Sequence, residues 1–111
     1  MTATTHVAAD AGGASSLRLL RDILEERYAT RTNQLTELVR YGAQPGHDPR
    51  TVAALTRAAR QGVADTAHAL GRMSQHSYGT CERCRQDIPL GRLRAYPEAR
   101  YCVPCQQILR P

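Results

Sequence analysis

Tryptophan, phenylalanine and lysine are all absent from this 111-residue chain. Without Trp or Phe, the interior has to come from Leu, Ala, Val and Ile with five Tyr, which suits a narrow helical seam better than a thick globular core. A run of eighteen apolar residues is also lacking, as is a basic N-terminal segment followed by an apolar one. Neither a membrane span nor a signal peptide is therefore expected, and a cytoplasmic setting is. There is no phosphate-binding glycine loop and no Ser/His/Asp arrangement, so the chain is not expected to be an enzyme. At this length it makes one domain or two very small ones, and so small a core is marginal without a staple.

The staple is visible near the C-terminus. Cys81, Cys84, Cys102 and Cys105 form two C-x2-C pairs with seventeen residues between them. In a reducing compartment such pairs are metal sites more often than disulfides. Two disulfides, a redox pair or an iron–sulfur cluster are the rivals for this pattern. Zinc is favoured over them, because it takes four thiolates at about 2.3 Å in a closed tetrahedron and needs no redox chemistry. One structural zinc per chain is expected, with no open position for a reacting water. His6, His47, His68 and His76 read as surface residues.

Upstream, residues 1–14 are small and polar without a period, as in a disordered tail. Ser15 or Ser16 offers a helix cap. Leu17, Leu20, Leu24, Tyr28, Leu35 and Leu38 then follow the three-and-four spacing of one helical face, with Arg31 at the slot that breaks it. "GAQPGH" interrupts, and Asp48 with Pro49 opens a second helix. Its face reads Val52, Leu55, Ala59, Val63, Thr66, Leu70 and Met73. The two faces fold onto each other about Pro45, which pairs Leu35 with Leu55, Tyr28 with Gly62 and Arg31 with Ala59. In that register the stem of Arg31 covers Ala59 while its guanidinium reaches water. Because no third apolar segment is evident to supply a globular core, the expected architecture is mainly α, an antiparallel two-helix coiled-coil hairpin carrying a small C-terminal four-cysteine zinc finger. The divisions are a tail at 1–14, a hairpin at 15–76 with its tip at 42–51, and a finger at 77–111.

The stretch Cys81-Glu82-x-Cys84, then Ile88, Arg92, Pro97, Cys102 and Cys105, resembles the C4 zinc finger of the DksA/TraR family of bacterial RNA polymerase regulators. "ALGRM" and "SYGTCERC" resemble the way that family's coiled-coil arm runs into its finger. The resemblance implies a short-armed, TraR-like member whose hairpin enters the secondary channel of RNA polymerase and presents acidic residues near the catalytic magnesium. The family's Asp-x-x-Asp-x-Ala tip aligns with Asp48, Thr51 and Ala53, so Thr51 replaces the second acid, and Arg50 offsets the charge of Asp48. His76 and Arg85 stand where the family often has Gly. Asp48 also has a simpler role as an N-cap worth about 1 kcal/mol.

Charge suggests a rival function. A formal net charge of +5 and a pI near 9.4 fit a nucleic-acid binder, and Arg83, Arg85, Arg92, Arg94, Arg100 and Arg110 all lie in the finger. Four thiolates with one Zn²⁺ lower the charge to about +3. The finger also lacks an aromatic stacking surface and an evident recognition helix. RNA polymerase is thus the expected partner, with direct nucleic-acid binding and a hairpin adaptor for another protein as alternatives. The chain is expected to be a monomer.

Overall fold

The computed structural model describes residues 13–110. The expected disordered tail lies outside the described residues except at its end, where helix α1 (Gly13–Tyr41) begins two residues ahead of Ser15. The second long helix, α2 (Pro49–Ser74), returns antiparallel to α1. Two short helices, α3 (Leu90–Ala95) and α4 (Val103–Leu109), lie within the finger. There is no strand among the described residues, only an isolated antiparallel bridge between Thr80 and Asp87. The molecule is elongated, 58 × 31 × 21 Å.

Each break in the helices has a local cause. α1 stops at Gly42, whose N–H still donates to the Leu38 carbonyl at 2.9 Å. Gly46, at φ +97°, then takes the left-handed conformation that turns the chain toward α2. Pro49 at N1 lacks the N–H that a first helical turn leaves unbonded in any case. At the far end of α2 the His76 N–H donates to Met73 O at 3.1 Å and the Ser77 N–H to Arg72 O at 2.9 Å. Those are the two bonds of a Schellman motif, and His76 fills its left-handed position at φ +60°.

The core does not run the length of the hairpin. Leu20 and Leu24 of α1 and Ala69 and Met73 of α2 are buried together with Tyr78, Cys81, Ile88, Leu93, Ala99 and Cys105. The finger is the third apolar segment that the sequence did not announce, and it packs on the base of the hairpin. Toward the tip the arms leave an open groove of about 750 Å³, bordered by Leu38, Val52 and Leu55. Leu55 is 51% exposed there, and Tyr28 of α1 is 40% exposed.

The register differs from the one expected about Pro45. Arg31, not Tyr28, lies against Gly62, where a Cβ would meet Arg31 Cδ at 3.0 Å. Near the tip, a Cβ on Gly42 would meet Val52 Cγ1 at 2.6 Å. Both contacts lie about three residues beyond the expected pairing, close to one helical turn. The cause is polar. Arg31 turns its guanidinium into the seam as well as toward water; its Nη1 donates to Gly62 O at 3.3 Å, Thr66 Oγ1 at 2.7 Å and Glu98 Oε2 at 2.6 Å. Arg27 Nη1 holds both oxygens of the same carboxylate, at 2.9 and 3.1 Å. Glu98 comes from the finger and its side chain is only 1% exposed, so it joins both arms to the finger where the core gives way to the groove.

Candidate metal centre and hairpin tip

Two local turns bring the four sulfurs together. The first follows Gly79 at φ +89°, with the Ile88 N–H donating to Gly79 O at 2.7 Å and the Cys81 N–H to Gln86 O at 2.8 Å. Inside it the Arg85 N–H donates to Cys81 O at 3.0 Å, and the turn closes only because Arg85 adopts φ +66°. In the second, Cys102 is the N-cap of α4 and Cys105 sits in its first turn. The Glu82 N–H donates to Arg100 O at 2.8 Å and ties the turns together.

Cys81, Cys84, Cys102 and Cys105 place their Sγ atoms within 4.8 Å of one another. The Cys84 and Cys102 sulfurs are 3.8 Å apart. A tetrahedron with zinc–sulfur bonds of about 2.3 Å has edges of about 3.8 Å, so the donor set fits the ion. Charge argues the same way. Burial opposes a thiolate at Cys81, but the backbone N–H groups of Cys84, Cys102 and Arg83 outweigh it and bring that thiol down to about 6. Cys105 is pushed up to about 12, by burial and by the three neighbouring sulfurs, against the Arg83 guanidinium 3.7 Å away. A cluster that resists its own full ionisation needs a dication to carry four thiolates. One structural zinc is consistent with this site, and with every corner held by protein no position is left for a substrate.

The finger matches a known family. The prokaryotic dksA/traR C4-type zinc finger covers residues 76–109. Residues 76–109 are thus similar to a dksA/traR zinc finger. A protein of Aquifex aeolicus (strain VF5), described only as uncharacterized, is 45% identical over 40 residues, which are 36% of this chain and 28% of that relative. The chain thus spans little more than a quarter of the length of the curated relative it matches. The solved structure of transcription factor DksA2 from Pseudomonas aeruginosa has the same fold, with a TM-score of 0.74, 92% of this chain and 91% of that chain covered, and 19% identity. The family match is confined to the finger, and the likeness to DksA2 is one of fold.

In the finger, three of the six arginines that suggested nucleic-acid binding are already occupied. Arg83 faces Cys105, Arg92 Nε donates to Tyr101 O at 3.0 Å, and Arg100 reaches Asp65 at 3.5 Å. Arg72, at the end of α2, donates to Ser77 O and Thr80 O and pairs with Glu82. His68, read from sequence as a surface residue, also bonds Glu82. Burial alone would raise the Glu82 carboxyl, but His68 and Arg72 overcome it and hold the group below its ordinary value.

At the other end of the molecule, Asp48, Arg50, Thr51 and Ala53 are all exposed where α2 begins. Asp48 occupies the N-cap position with extended backbone, yet its side chain bonds no helix N–H. Its Oδ2 accepts from Thr51 Oγ1 at 2.9 Å instead. The side-chain capping bond expected of Asp48 is therefore not made, and Thr51 holds its carboxylate instead. Glu37, which sequence reading passed over, borders the same groove as Asp48 and His47. No helix among the described residues is long and apolar enough to cross a membrane.

Proposed function

We propose that this protein is a transcription factor of the DksA/TraR type that binds bacterial RNA polymerase. The observation that carries the proposal is the whole shape: a hairpin of two long helices standing on a four-cysteine finger, in the fold of a transcription factor, DksA2. In this reading the finger at 77–111 is the base and the hairpin is the probe, a monomer acting in the cytoplasm. The tip enters the secondary channel and offers Asp48, Arg50, Thr51 and Ala53 to the polymerase. Zinc at Cys81, Cys84, Cys102 and Cys105 holds the base together, and regulation rather than catalysis is the output. Three of the six finger arginines are occupied within the protein, which favours polymerase over direct binding of nucleic acid.

Retention by purified core RNA polymerase, with free duplex DNA as a competing bait, tests the proposal. Polymerase retained at moderate salt supports it, and DNA retained alone refutes it. Asp48→Asn tests the tip. Because Asp48 makes no capping bond to the backbone, removing its charge should change stability by only a few tenths of a kcal/mol. Loss of the effect on transcription initiation with polymerase binding intact is the expected result; full regulatory activity would mean that the Asp48 charge plays no part.

A further inference from the structure

We infer that the outer face of α2 between Arg50 and Arg60 is a docking strip for an acidic protein surface. Arg50, Arg57 and Arg60 project from the exposed side of α2, opposite Val52, Ala59 and Thr66. None makes a hydrogen bond, ion pair or ring contact with another described residue. The helix supplies no acid between Asp48 and Asp65, and these two are engaged already, by Thr51 and by Gln61 and Arg100.

This arrangement works against the stability of α2. Arg50 lies in the first turn, which holds no acidic residue, and there a cation opposes the helix dipole. Arg57 and Arg60 are i,i+3 neighbours of like charge. A solvated helix face ordinarily alternates signs, as α1 does with Arg18, Arg21, Asp22, Glu25 and Glu26. Local rules broken together on one face mark a surface kept for a partner. Ala53, Ala54 and Ala64 lie exposed beside the arginines, so a partner can approach the helix backbone closely. The strip offers no aromatic ring to a base, and three cations along about 15 Å of straight helix would neutralise few phosphates. Carboxylates on a protein wall fit it better than a nucleic-acid backbone. The identity of the partner rests on the proposed function; the chemistry of the strip does not.

The triple variant Arg50→Gln/Arg57→Gln/Arg60→Gln tests the strip, since Gln is nearly as good a helix former as Arg. Arg18→Gln/Arg21→Gln is the control. With core polymerase at low salt, the triple variant should bind about tenfold more weakly and with a flatter salt dependence, while the control should bind as the wild type does. Wild-type affinity in the triple variant overturns the inference. So does binding of duplex DNA by the wild type that the triple variant loses while polymerase affinity is unchanged. Should the wild type fail to bind polymerase at all, the proposed function falls and poly-L-glutamate decides the strip. Backbone amide shifts concentrated at residues 50–60 keep it, and shifts spread equally over Arg18 and Arg21 overturn it.

Discussion

At the scale of single residues, two side chains occupy conformations that suit glycine. His76 at φ +60° closes the end of α2, and Arg85 at φ +66° closes the first metal-binding turn. The left-handed position after Cys84 was legible only through the family resemblance, in which Arg85 stands where Gly is often found. A left-handed L-residue costs about 1–2 kcal/mol, and glycine returns about 0.5–1 kcal/mol of that as unfolded-chain entropy. Arg85→Gly and His76→Gly should thus each raise stability by about 0.5–1 kcal/mol, read from denaturant midpoints of the zinc-loaded protein. Tyr78 gives the pH-dependent case. Its buried hydroxyl donates to Pro97 O at 2.9 Å, and burial together with the Glu98 charge pushes its ionisation well above the ordinary value of 10.0. A raised value means that the contribution is fully present below pH 10 and is lost as pH rises beyond it. Tyr78→Phe should cost about 1 kcal/mol near neutrality and flatten the alkaline loss, so that the two stability curves converge between about pH 9 and 11.

At the scale of elements, periodicity located both long helices, and Pro49 with Asp48 marked where the second begins. Pairing was not legible. Leu35 and Leu55 were expected to face one another, but apolar spacing alone cannot tell which turn of one arm meets which turn of the other when Ala, Gly and Thr line much of α2. The polar groups that meet in the seam, Arg31, Thr66 and Glu98, lie far apart in sequence and only the fold unites them. Burial replaces that expectation with a contrast between base and tip. Leu24 is 0% exposed in the core and Leu55 is 51% exposed beside the groove. Leu24→Ala should therefore cost about 2–4 kcal/mol and Leu55→Ala less than about 1 kcal/mol, both from reversible urea unfolding. Equal costs would mean that the tip half of the hairpin is closed in solution.

At the scale of the molecule, the four cysteines that could hold a metal were plain from their spacing, while the unity of finger and hairpin was not. Cys81 and Cys105 are part of the same core as Leu20 and Met73, so the metal also holds the base of the hairpin in place. The polar half of this junction is the Glu98 carboxylate between Arg27 and Arg31. Nothing near residue 98 signals partners 67 and 71 positions away. An acid flanked by Pro97 and Ala99 in a buried stretch nevertheless has to find cations somewhere. Glu98→Gln keeps the shape and removes the charge, leaving two arginines without a counterion. Both retain a path to water, at 39% and 29% side-chain exposure, which moderates the penalty to about 2–3 kcal/mol. Arg31→Met alone should cost less, because Arg27 still neutralises the carboxylate. If the two groups act through one contact, the Glu98→Gln/Arg31→Met double variant should be more stable than the sum of the single losses allows. Denaturation of the four zinc-loaded proteins measures that coupling. Strict additivity would mean that the salt bridge contributes nothing in solution and that apolar packing alone sets how the hairpin stands on the finger.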